Sequence, residues 1–132
     1  MHNPINQKLL GILLREAHLI SDFQFQIALV DQKAYGMALG DILVLHGWIQ
    51  PQTIDFFLYR WNQLLEKSWE YSLASCLYSA GLLDEQQIQA IWQEQAQSNL
   101  SFDRIVIQKK WLHPYTVEFF QAALSQNQLM AS

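Results

Sequence analysis

The sequence predicts an all-α protein, built from tandem helix-turn-helix units in two duplicated lobes. Three observations carry that prediction. The phrase GWIQPQTIDFF at 47–57 returns at 110–120 as KWLHPYTVEFF, an offset of 63 residues. The echo is longer than the phrase: laying 9–61 on 72–124 without a gap also pairs Leu10 with Leu73, Leu14 with Leu77, Ala17 with Ala80 and Gln24 with Gln87. So many identities in one register mark an internal duplication. Finally, one design of helix start recurs four times at even spacing.

Each lobe divides again, giving four units of 24 residues at 9–32, 38–61, 72–95 and 101–124. Five residues separate the members of each pair, and 62–71 is read as the linker between a first lobe, 1–61, and a second, 72–132. In unit one the apolar segment 9–17 reads as a short helix. Ser21 then caps a second helix with Gln24 at its third position, the capping-box arrangement, and Ile20 with Phe25 forms a hydrophobic staple. Unit two has the apolar segment 39–45, then Pro51 at the first helical position, where a missing N–H costs nothing. Its staple is Ile49 with Ile54. Unit three repeats unit one, with 73–80, the Asp84–Gln87 box and the Leu83–Ile88 pair. Unit four repeats unit two, with Pro114 and the Leu112–Val117 pair. Its leading segment, 102–108, contains the β-branched run Ile105–Ile107 and is ambiguous between helix and strand.

Composition bounds the class. Half of the 132 residues are apolar and 13% aromatic, so a dense core is within reach and disorder is not expected. No apolar run approaches the ~18 residues that a membrane span requires, and MHNPINQK lacks the basic-then-apolar layout of a signal peptide. Cys76 is the single cysteine, which excludes an internal disulfide and fits a reducing cytoplasm. With a formal charge of −4 and dispersed cations, direct DNA or RNA binding is disfavoured.

Catalytic motifs are not found. His2, His18, His46 and His113 show no metal-ligand spacing and no pairing with Cys76, so no metal site and no enzyme activity are expected. Trp48 and Trp111, at equivalent repeat positions, read as packing residues, and Trp61, Trp69 and Trp92 as lobe–lobe packing. Gly11 and Gly40 draw notice because each sits in the first turn of a predicted helix, where glycine costs up to ~1 kcal/mol relative to alanine. Two readings stay open there: close helix packing, or a ligand that must reach the backbone and its N–H groups. Units three and four carry Ala74 and Asp103 instead.

Units one and two resemble the tandem motif of the MshEN-type domain, the cyclic-di-GMP-binding region at the N-terminus of type II secretion and type IV pilus ATPases. That pattern runs roughly RLGxxLxxxGxIxxxQLxxALxxQ, twice, with a five-residue spacer. Unit one matches with Leu10, Gly11, Leu14, Ile20, Gln24, Ala28, Leu29 and Gln32, and unit two with Leu39, Gly40, Leu43, Gly47, Ile49 and Leu58; KAYGM at 33–37 has the spacer's length. Four departures stand out. Leu9 and Ala38 replace the family's leading arginines, His18 replaces a glycine, and Trp61 replaces the closing glutamine of unit two.

The resemblance implies a non-enzymatic, stand-alone receptor that passes occupancy by cyclic di-GMP to a protein partner, as in the small cyanobacterial cyclic-di-GMP receptors. The ligand-binding positions it implies are Leu9, Leu10, Gly11, Leu14, Gln32, Ala38, Leu39, Gly40, Asp41 and Leu43. Leucines would cover the guanine faces, the glycines would admit the backbone, and Asp41 and Gln32 would meet guanine edges. Phosphate contacts would fall to Lys8, Arg15, Lys33 or Arg60. Residues 1–61 hold four cations against five carboxylates, the remainder four against seven, so the first lobe is the less hostile to a dianion. The rival expectation is a helical adaptor that keeps the fold without the nucleotide.

Overall fold

Several helices begin at a residue whose side chain caps their first turn. The computed structural model describes residues 5–131, with side chains as far as Ser125. Among them run α1 (Gln7–Glu16), α2 (Asp22–Tyr35), α3 (Leu39–Leu45), α4 (Pro51–Asp55), α5 (Trp61–Glu66), α6 (Leu73–Ser79), α7 (Glu85–Gln97), α8 (Phe102–Gln108) and α9 (Pro114–Ala131). A π-helical turn, Phe56–Arg60, joins α4 to α5, and Ser68–Glu70 is a 3₁₀ turn. The described residues contain no strand, so the chain is all-α.

Both expected capping boxes form. The Ser21 hydroxyl accepts from the Gln24 N–H while Gln24 accepts from the Ser21 N–H, and Asp84 and Gln87 repeat the exchange. Pro51 and Pro114 open α4 and α9. Two caps were not foreseen: Asn6 accepts from the Leu9 N–H at the start of α1, and Ser72 boxes with Ser75 at the start of α6. Ile105–Ile107, ambiguous in sequence, lies within α8. Ile105 and Val106 are fully buried there, so tertiary packing decides over the local β preference.

The short helices α1, α3, α6 and α8 end alike. His18, Gly47, Gly81 and Lys110 adopt left-handed backbone with φ of 58°, 75°, 73° and 58°. In each case that residue's N–H and the next one reach back to helix carbonyls, as with His18 to Arg15 and Leu19 to Leu14. This is the Schellman stop, which satisfies otherwise orphaned carbonyls. It turns the chain towards the next helix at the same register of every unit.

One cluster of buried apolar residues extends from Ile5 to Ala123. Within it α2 packs on α3 as α7 packs on α8, and α9 lies against α5 and α6. Two buried threonines tie the halves reciprocally. Thr53 Oγ1 donates to the Ala80 carbonyl and Thr116 Oγ1 to the Ala17 carbonyl, both at 2.6 Å. Phe56, Phe57, Trp61, Phe119 and Phe120 form a shared aromatic cluster, with Trp61 stacked on Phe119 at 5.2 Å between ring centres.

Two expectations need correction. The presumed linker is largely helical: α5 continues to Glu66, and Leu64 and Ser68 are buried. Of the three tryptophans assigned to lobe packing, only Trp61 serves it, since Trp69 and Trp92 are 67% and 55% exposed. Trp48 and Trp111 do pack against the core.

Candidate functional site

The residues singled out in units one and two separate into three groups. Leu10, Leu14 and Leu43 are fully buried in the core and present no face to a ligand. Gly11 and Gly40 are buried beside them, and the structure decides between their two readings. A Cβ on Gly11 would collide with the Phe25 ring, and one on Gly40 would lie 2.7 Å from Ile54 Cγ2. Phe25 and Ile54 are the staple residues of units one and two, so each glycine admits its own unit's staple. Close packing occupies the space assigned to a ligand's approach. The Gly40 N–H is likewise engaged, by the Gln7 side-chain oxygen at 3.2 Å, which supplies the cap that Ala38 lacks.

A second group converges. Lys8 on α1, Gln32 on α2 and Leu39 on α3 line one groove of about 450 Å³, together with Gln7, Phe25 and Leu29. Leu9 lies beside it in sequence and is 39% exposed; Ala38 is half-buried. Phe25, Leu29 and Gln32 recur at spacings of four and three, one stripe of α2. That spacing is readable in sequence, where Phe25 reads as a staple residue and Leu29 as a motif match. Of the three only Gln32 is among the ligand-binding positions the resemblance implies; Gln7 carries no signal beyond its place ahead of the motif. The groove is lined by apolar side chains, two amides and one ammonium group, the composition of a binding site rather than of a reaction centre.

The third group lies apart. Asp41 is exposed and lines a smaller groove of about 230 Å³ with Val44, Pro51, Ile54 and Asp55. Arg15 is engaged: its guanidinium carbon lies 4.8 Å above the Phe25 ring centre and its Nε 3.6 Å from Asp22 Oδ1. Lys33 is exposed in the last turn of α2, and Arg60 is exposed on the π turn.

Reactive groups are quiet. Burial pushes the Cys76 thiol up to about 12, so no thiolate forms near neutral pH. His46 bonds Asp31 at 2.7 Å and stacks on Trp48, while His18 stacks on His113 and meets the tilted ring of Tyr115. His2 lies outside the described residues. Hydrogen bonding, first from Ser101 and then from Gln121 and local backbone N–H groups, holds Asp103 below the usual carboxylate range. No group of three or more metal-ligating side chains occurs among the described residues. Nor is any described helix long and apolar enough to cross a membrane.

Comparison with protein-family models gives no match, and comparison with solved structures gives none. The chain is similar to an uncharacterized protein of the cyanobacterium Picosynechococcus, with 36% identity over 114 residues. The aligned part covers 86% of this chain and 62% of that protein, so the chain spans less than two thirds of the relative's length.

Proposed function

We propose that the chain is a non-enzymatic receptor for a guanine nucleotide, cyclic di-GMP, held in the α1–α2–α3 groove and signalling to a protein partner. The observation that carries the reading is the convergence of Lys8, Gln32 and Leu39 on that groove. Its volume of about 450 Å³ is within the range of small-ligand sites. Leu29, partly exposed, offers apolar contact to a base, and Gln32 can give and take hydrogen bonds at a purine edge. The Gln7 amide N–H groups can donate there while its oxygen holds the Gly40 N–H. Lys8 supplies the positive charge. One ammonium against two phosphates predicts modest affinity that falls with added salt.

A helical adaptor without nucleotide is the second reading. It is favoured by Arg15 being committed to Phe25 and Asp22, and by the exposed rings of Phe23, Tyr35, Trp69 and Trp92. Titration calorimetry with cyclic di-GMP separates the two. The receptor reading expects saturable heat that is lost in Gln32→Ala and reduced in Lys8→Ala. An absence of heat at ligand concentrations up to roughly the millimolar range, equivalent to about 4 kcal/mol, leaves the adaptor reading in place.

A further inference from the structure

The groove between α6 and α7 is lined by Ala74, Ser75, Tyr78, Glu85, Ile88 and Trp92 and encloses about 400 Å³. Tyr78 and Trp92 are 50% and 55% exposed, and neither ring contacts another aromatic ring or a cation of the chain among the described residues. Glu85 has no ion-pair partner among them either. Two large rings and a carboxylate thus border an apolar floor, with no Lys or Arg in the lining.

The first half of the chain shows what such a space accommodates. At the 63-residue offset Tyr78 corresponds to Arg15, Glu85 to Asp22, Ile88 to Phe25 and Trp92 to Leu29. In the first half the Arg15 guanidinium lies over Phe25 and beside Asp22. In the second half the carboxylate is kept as Glu85, but tyrosine has replaced the arginine. Ile88 is smaller than phenylalanine, which opens the floor, and Trp92 adds a π face. Acid and aromatic surface remain while the internal cation is gone.

The geometry points to an arginine side chain of a partner protein as the occupant of this groove. Its guanidinium would sit near Glu85 and against Trp92 or Tyr78, joining a charge-assisted hydrogen bond to cation–π contact. Its aliphatic stem would lie on Ile88 and Ala74. Charge complementarity favours the same partner, since residues 62–132 carry seven carboxylates against four cations. Exposed Tyr and Trp are the side chains that interface centres favour. The inference is independent of nucleotide binding in the other groove.

Nuclear magnetic resonance titration of the full chain provides the test. The probes are the peptide Ac-Ala-Leu-Arg-Leu-Ala-NH2, the same peptide with neutral citrulline for arginine, and N-acetyl-arginine amide. The arginine peptide should shift the Trp92 indole N–H saturably, and citrulline should weaken binding about tenfold, as loss of a charged contact worth ~1.4 kcal/mol predicts. Glu85→Gln should weaken the arginine peptide equally and leave the citrulline peptide unchanged. Both Glu85 and Trp92 are exposed, so Trp92→Ala is expected to fold and to bind the arginine peptide more weakly, read from the backbone amides of Tyr78, Glu85 and Ile88. An unmoved Trp92 indole, or equal binding of both peptides, would overturn the assignment of a cation to this groove. Arginine amide binding as tightly as the peptide would overturn the protein partner in favour of a free cation.

Discussion

Lys110 and His18 hold backbone that glycine holds at Gly47 and Gly81, so the same turn is built with and without a Cβ. Left-handed backbone costs a non-glycine residue roughly 1–2 kcal/mol, while glycine's extra chain entropy returns ~0.5–1. Lys110→Gly should therefore stabilise the protein by ~0.5–1 kcal/mol in denaturant unfolding. His18→Gly should gain less, because it forfeits the ring contacts with His113 and Tyr115. Cys76 yields a pH prediction. Its folded value, about 12, lies above the ordinary 9.0, so the unfolded chain releases its proton first as pH rises. The thiol's contribution is complete below pH 9.0 and is lost progressively from there towards about 12. Denaturation midpoints at pH 8 and pH 10 should differ less in Cys76→Ala than in the parent, and the native thiol should resist alkylation at neutral pH. The left-handed turn at Gly47 and Gly81 was legible because glycine marks it; at His18 and Lys110 only the repeat register did.

Among the elements, what the sequence disclosed best was local. Ser21 with Gln24, and Asp84 with Gln87, close rings over four residues, so propensity and structure agree. Ser21→Ala should cost ~0.5–2 kcal/mol, measured by thermal or chemical unfolding. The glycines were harder to read, because their neighbours are 14 residues away in sequence and meet them only in the packed fold. Phe25 lies against Gly11 and Ile54 against Gly40. Gly11→Ala should therefore destabilise by about 1–3 kcal/mol through overpacking, despite alanine's better helix propensity. Gly11→Ala combined with Phe25→Leu should recover part of that loss. Helix length beyond Arg60 was also illegible, since Trp61 and Leu64 are held by burial rather than by any cap.

For the whole molecule, the sequence register foretold corresponding turns and caps but not how the halves would meet. Nor could it show that Lys8, Gln32 and Leu39 share a groove while Asp41 lies elsewhere, since those relations depend on helix crossings. The two threonines supply the missing relation. Each is almost wholly buried and donates to a carbonyl of the opposite half. Thr53→Val or Thr116→Val keeps the volume and leaves that carbonyl unpaired, at a cost of about 1–3 kcal/mol in equilibrium unfolding. The reciprocity has a further consequence. Thr53 corresponds to Thr116 and Ala17 to Ala80, so residues 1–71 alone carry a copy of both the donor and the acceptor. Two such fragments related by a two-fold axis could close both bonds between themselves, as an isologous homodimer does. Because both bonds lie within one chain, their formation does not depend on protein concentration, as it would between separate fragments.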